Sequence, residues 1–118
     1  MNLYTCQISS WRKAKKLGVP FLDVTVKSGD KHFAPTWDFL MKYKEDKNED
    51  AYIAKFIPLM RDNYSKNTQY WLNVLTQDSL AIGCYCAKDK FCHRKLLVDI
   101  FQKVCKHHNI PFEYKGEL

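Results

Sequence analysis

Between Gly83 and Arg94 the chain reads Gly-Cys-Tyr-Cys-Ala-Lys-Asp-Lys-Phe-Cys-His-Arg, placing three of its five cysteines beside a histidine and an arginine. Thiolates are nucleophiles and soft metal ligands, imidazole moves protons, and guanidinium clamps phosphates and carboxylates. The apolar run Leu80-Ala81-Ile82 leads in, and an amphipathic helical pattern follows. The stretch therefore reads as a strand from Leu80 to Cys86, a short polar loop and a helix start. Cys84 and Cys86 would share one strand face, with Tyr85 on the other, because side chains alternate. Cys92 and His93 would open the helix, where free amides and the dipole favour an anion and bias a thiol towards thiolate.

Three chemistries fit this pattern. In the first, Cys92 is a nucleophile or covalent holder, His93 its acid/base partner, and Arg94 an anion clamp, with Cys84 and Cys86 beside them. The second is a metal site of Cys84, Cys86, Cys92 and His93. Its ligand count suits zinc, but C-x-C followed by adjacent C-H differs from paired C-x-x-C, and adjacent ligands chelate poorly. In the third, small thiols fill a tight strand-to-helix corner while His93 and Arg94 bond loop carbonyls. The reactive or ligand-binding reading ranks first and the metal last, so no cofactor is assigned and zinc stands as the minor alternative. Cys6 and Cys105 read as packing residues.

The elements that must position these groups are legible in outline. A β-favouring run, Leu3 to Ile8, ends in the capping residues Ser9 and Ser10. A short basic helix from Trp11 to Leu17 follows, with Trp11, Ala14 and Leu17 facing inward, and Gly18 and Pro20 stop it. Phe21 to Val26 is a second strand, making a compact βαβ unit and a parallel pair with the first. Asp23 lies among apolar neighbours, so its carboxylate is either a structural anchor or part of a site. The turn Lys27-Ser28-Gly29-Asp30-Lys31-His32 has the donors and flexibility to cradle a phosphate, and equally those of an ordinary surface turn.

A helix through Trp37, Leu40, Met41 and Lys44 follows, capped by Thr36, and Asn48 caps the next. Pro58 should kink or interrupt that second helix. Tyr70, Trp71, Val74 and Leu75 mark a third, and most aromatics here read as core, Trp37 and Tyr43 least so. After the cysteine stretch a clean apolar stripe runs from Leu96 to Val104, and Ile110 to Tyr114 closes as an edge strand. One α/β domain over residues 1–118 results, with a small sheet and helices on both faces. Ligands of such sheets sit beyond the carboxyl ends of parallel strands. Ser9 and Ser10, the Lys27 to His32 loop and the Cys84 to Arg94 loop should therefore converge.

Composition narrows the partners. The chain has 118 residues, a net charge of +6, and 46% apolar residues, a globular rather than disordered composition. Sixteen lysines stand against three arginines, so most cations are mobile point charges rather than bidentate readers. The excess favours a phosphate-bearing small molecule or a nucleic acid. Met1 to Cys6 carries no secretion signal, no run is long enough to span a membrane, and the odd cysteine count suggests free thiols in a reducing compartment. A cytoplasmic location is expected, the host cytoplasm if the gene belongs to a phage.

The sequence resembles the uncharacterised family catalogued as domain of unknown function 488, in the form common in bacteriophages and bacteria. The resemblance rests on Asp23-Val24-Thr25-Val26-Lys27-Ser28-Gly29, Phe33-Ala34-Pro35-Thr36-Trp37, Tyr43-Lys44, Tyr52, Leu59-Met60-Arg61 and Trp71. Above all it rests on Cys84-Tyr85-Cys86 with Phe91-Cys92-His93-Arg94, and Tyr114-Lys115-Gly116-Glu117 is similar to the family's ending. It implies a Rossmann-like α/β fold of about four parallel strands and supplies no reaction. Thr25 stands where relatives carry arginine, and Lys88-Asp89-Lys90 where most have a glycine.

The expected function is binding of a nucleotide or nucleic-acid phosphate at the carboxyl edge of the sheet, with cysteine-assisted chemistry there. Cys92 and His93 would carry the chemistry. Lys27, Ser28, Gly29 and Arg94 would hold the anion, with Asp23 and Trp37 as supporting wall. The competing class is a non-enzymatic interaction protein, such as a phage product that binds a host factor or sequesters a nucleotide.

Overall fold

A computed structural model describes residues 1–86 and 90–118. Lys88 and Asp89 of the charged loop thus lie outside the described residues. In chain order the elements are β1 (Asn2–Gln7), α1 (Trp11–Lys16), β2 (Phe21–Asp23), α2 (Trp37–Asp46), α3 (Glu49–Lys66), α4 (Thr68–Leu75), β3 (Ser79–Cys84), α5 (His93–His107) and β4 (Glu113–Glu117). The four strands form one sheet in the order β2-β3-β1-β4, with every neighbouring pair parallel. The Rossmann-like α/β arrangement holds.

β1 and β2 are parallel but not neighbours, because β3 is inserted between them. The reason is in the side chains. Leu80, Ala81 and Ile82 of β3 are buried on both faces of the sheet, as an unalternating apolar run requires. Such a strand takes a central place, and the short, half-buried β2 is left at the edge.

Pairing register sorts the two faces. Leu3 lies opposite Leu80 and Thr5 opposite Ile82. This face packs on α2 to α5 through Phe33, Phe56, Met60, Trp71, Leu97 and Phe101. Phe33 meets Trp71 and Phe101 edge-on, with ring centroids 4.9 and 5.4 Å away, the arrangement ring quadrupoles favour. The opposite face is smaller and holds Ala14, Val19 and Ala81 beneath α1. In α1 only Ala14 is buried, whereas Leu17 is 58% exposed. Six residues with lysine at three positions leave room for one inward residue, so the broader inner face expected of Trp11 and Leu17 does not form.

Two capping expectations divide. Asn48 caps α3 by accepting from the Ala51 amide at 3.0 Å. Thr36 sits at the head of α2, but its hydroxyl donates to Asp38 rather than capping the backbone. α3 runs through Pro58 without interruption for eighteen residues, its ends held by the Asn48 cap and by Tyr52, Phe56 and Met60 in the core. Packing of that kind outweighs one lost backbone bond. β4 begins at Glu113, beyond Ile110 and Pro111, and is an edge strand.

The segment between β2 and α2 is fixed from within. The Asp30 carboxylate accepts from the His32 amide at 2.9 Å and from the Tyr70 hydroxyl, and lies 2.7 Å from the His32 ring. The His32 ring stacks on Tyr70 with centroids 3.9 Å apart. Burial pushes the Asp30 carboxyl upward, but the bonds from Tyr70 and His32 win and hold it below its usual range. A depressed carboxyl stabilises the fold fully above its unfolded value of about 3.9, and the contribution drains away as pH falls through the lower folded value. Asp30→Asn should therefore lower the melting temperature at neutral pH and flatten the loss of stability below about pH 4. Melting temperatures recorded against pH check this; equal acid slopes in the two proteins would contradict it.

Candidate functional site at the carboxyl edge of the sheet

β3 ends at Cys84, the last residue of its buried run. Tyr85 and Cys86 lie past the strand in a bend, so strand alternation stops before Cys86. Cys86 is half-buried, whereas Cys84 and Cys92 are buried. Cys92 is the extended residue heading α5, with φ −158° and ψ 147°, and His93 is its first helical residue. The ligand atoms of Cys84, Cys92 and His93 lie within 4.8 Å of one another. The chain has brought together residues up to nine positions apart.

His93 is oriented by a neighbour far along the chain. Its Nε2 stands 2.6 Å from the Val24 carbonyl and its Nδ1 3.7 Å from Cys92 Sγ. A carbonyl can only accept, so Nε2 carries the proton and Nδ1 presents a lone pair to the thiols. Burial lowers the proton affinity of the ring further, which keeps it neutral.

The Val24 carbonyl is held in turn by the loop that follows β2. Asp23 Oδ1 accepts from the Thr25 amide at 2.8 Å, and Oδ2 accepts from the Ser28 hydroxyl at 2.6 Å. Burial raises the Asp23 carboxyl, but the Ser28 and Thr25 bonds outweigh it and leave the group below its ordinary range. Thr25 Oγ1 accepts from the Ser28 amide at 3.2 Å. A Cβ on Gly29 would stand 2.4 Å from the Asp23 carbonyl oxygen and 2.5 Å from the Thr25 nitrogen, so this close approach requires glycine. Asp23 is thus the anchor of the turn. Ser28 and Gly29, expected to hold an anion, are engaged in building the turn, and Lys27 remains as its exposed cation.

Arg94 departs furthest from expectation. Its side chain is fully buried rather than open to a ligand. Nη1 donates to Cys84 Sγ at 2.7 Å and to the Cys86 carbonyl at 2.9 Å, while Nη2 pairs with Glu117 Oε2 at 3.1 Å. The guanidinium clamps the protein's own strand ends. Glu117, which the motif reading did not include, reaches Arg94 through a bulge. β4 pairs Tyr114 with Leu3 and Gly116 with Tyr4, skipping Lys115, and Gly116 takes φ +108°. Without the skipped residue, Glu117 would face the other side of the sheet. The signal in the sequence was the Lys115-Gly116-Glu117 ending.

Charge is unevenly spread over the sulfurs. Hydrogen bonding with Cys84 and Cys92, aided by Arg94 and Lys44 against the effect of burial, brings the Cys86 thiol down to about 3. The same contacts with Cys84 and Cys86, together with burial, push the Cys92 thiol up. The thiolate bias expected at Cys92 falls on Cys86, the sulfur nearer solvent. Cys6 and Cys105 are fully buried in the packing, and burial raises both thiols, Cys6 to about 11.

A cavity of about 160 Å³ opens above the cluster, lined by Thr25, Lys27, Trp37, Lys44, Cys84, Tyr85, Cys86 and His93 among others. Trp37 is 51% and Tyr85 60% exposed, and the Tyr85 hydroxyl lies 3.4 Å from Ser28 Oγ. Leu40, Lys44 and Cys86 also border a hollow of about 570 Å³ that includes Lys47, Lys90 and Phe91. Ser9 and Ser10 do not line the cavity, so of the three expected segments two converge here. A groove of about 480 Å³ between α3 and α5, lined by Ile57, Met60, Tyr64 and Val104, shares no residue with the cluster.

A family model described as the active DUF488-N3 subclade (DUF488-N3a) matches residues 15–104. No curated protein and no solved structure matches the chain.

Glu117 is the counter-charge of a buried guanidinium, and removing one partner of such a pair strands the other. Glu117→Ala should cost about 3–5 kcal/mol of stability, whereas Lys115→Ala, which breaks only the exposed pair with Glu113, should change nothing measurable. Urea unfolding of the two variants distinguishes them, and near-native stability of Glu117→Ala would refute the role given to Arg94. The match over residues 15–104 includes the whole Cys84 to Arg94 cluster, and the chain belongs to the DUF488-N3a family.

Proposed function

We propose that the protein binds a nucleotide or a nucleic-acid phosphate at the carboxyl edge of its sheet and acts on it with the sulfur cluster beneath. The observation that carries this reading is the make-up of the cavity wall. Two exposed aromatic faces, Trp37 and Tyr85, stand with Lys27 and Lys44 around the opening, and Cys86 and His93 border its floor. Bases stack on aromatic faces, and lysines meet phosphates as point charges. A volume of about 160 Å³ suits a phosphate group or a small ring, and the adjoining hollow of about 570 Å³ brings the space into the range of nucleotide-sized ligands.

The cavity lies beyond the carboxyl ends of the parallel pair β2 and β3, the edge at which open α/β sheets take their ligands. The word "active" in the subclade's description favours catalysis over a purely adhesive role. The sulfur that faces the ligand is Cys86, with Cys92 and His93 behind it.

A thermal-shift panel of nucleotides and short oligonucleotides tests the reading. A ligand present at a hundred times its dissociation constant should stabilise the wild type by about 2.7 kcal/mol, several degrees for a chain of this size. Trp37→Ala and the Lys27→Ala/Lys44→Ala double variant should lose that shift while melting normally without ligand. No stabilising phosphate-bearing ligand, or equal shifts in all three proteins, would contradict the proposal.

A further inference from the structure

We infer that Cys84, Cys92 and His93 form a three-ligand binding site for a thiophilic divalent cation, zinc being the best fit, with the fourth tetrahedral position open. Spacing in the sequence argued against a metal, since Cys92 and His93 are adjacent and the cysteines are not paired as C-x-x-C. Folding removes that objection. Cys92 is extended where His93 is helical, and this change of backbone direction lets neighbouring side chains aim at one point. Zinc–sulfur bonds of about 2.3 Å and zinc–nitrogen bonds of about 2.0 Å put sulfur and nitrogen ligands roughly 3.6 Å apart in a tetrahedron. Cys92 Sγ and His93 Nδ1 are 3.7 Å apart. The remaining ligand distances, all within 4.8 Å, need only a small contraction.

Three further features fit the same ion. First, His93 donates Nε2–H to the Val24 carbonyl at 2.6 Å and so directs Nδ1 into the cluster, the outer bond that metal-binding histidines characteristically make. Second, a small hollow bordered by Cys86, Cys92 and His93 lies at the cluster, which leaves space beside the three ligands. Third, two thiolates balance the charge of one divalent ion, and Arg94 Nη1 donates to Cys84 Sγ at 2.7 Å, the kind of outer bond that orients a metal-bound sulfur. Soft sulfur ligands with one imidazole select zinc over magnesium or calcium, which require oxygen. The inference is independent of what occupies the cavity above.

Metal analysis of protein purified without chelators should return about one zinc per chain. After the zinc is stripped, cobalt(II) should give intense thiolate-to-cobalt absorption with the visible bands of a tetrahedral site, and one added equivalent of zinc should abolish them. Cys84→Ser and Cys92→Ser should lose the spectrum, while Cys6→Ser and Cys105→Ser keep it. Both cobalt steps read the wild type, so they stand even where a variant fails to fold. Less than roughly a tenth of an equivalent of zinc with no cobalt–thiolate band would overturn the inference. So would an unchanged cobalt spectrum in the Cys84→Ser/Cys92→Ser double variant. Neither result depends on nucleotide binding, so failure here is distinct from failure of the thermal-shift panel.

Discussion

A guanidinium with no access to water is the constraint around which this fold closes. Arg94 is fully buried, and a buried cation is tolerable only if its donors and its charge are both met. Glu117 supplies the charge, Cys84 Sγ and the Cys86 carbonyl take donors, and these partners come from two distant parts of the chain. Meeting Arg94 therefore ties α5 to the end of β3, to the bend beyond it and to β4. The bulge at Lys115 exists in the service of this contact, because only the skipped residue turns Glu117 to the correct face.

The same tie organises the sulfur atoms. Arg94 holds Cys84 and the Cys86 backbone from one side. From the other, the Asp23 to Ser28 turn fixes the Val24 carbonyl, which sets the proton position on His93. Cys84 and Cys92 consequently meet a neutral ring nitrogen, with a positive guanidinium on Cys84. Burial divides the roles of the sulfurs. Cys92 is 3% exposed, whereas half-buried Cys86 borders the cavity. Trp37, Tyr85, Lys27 and Lys44 rim an opening directly over this arrangement.

Much of this architecture is readable from side-chain patterning, and the failures share a physical cause. Leu80-Ala81-Ile82 announces a strand buried on both faces, and the Leu97 and Phe101 positions announce α5. No pattern within β1 or β2 reveals that β3 will enter between them, since pairing partners depend on how burial is shared across the whole sheet. The cluster was visible as a set of residue types, but not the division of labour inside it. Arg94 reads as a ligand clamp until its depth is known. Ser28 and Gly29 read as a phosphate cradle until Asp23 is seen to engage them. Glu117 carries no local signal of importance beyond the unusual Lys-Gly-Glu ending, because its value lies in a partner 23 residues away. Among the described residues no helix is long and apolar enough to cross a membrane, in keeping with the sequence.

Whether the carboxyl edge is the working face can be read most directly by chemical-shift mapping of the labelled protein against a mixture of the four ribonucleoside triphosphates and a short single-stranded oligonucleotide. The Trp37 indole and the amides of Tyr85 and Cys86 should move together as ligand is added, with the Lys27 and Lys44 amides beside them. An unchanged spectrum at these positions, or movement confined to the groove of Ile57, Met60 and Val104, would contradict it.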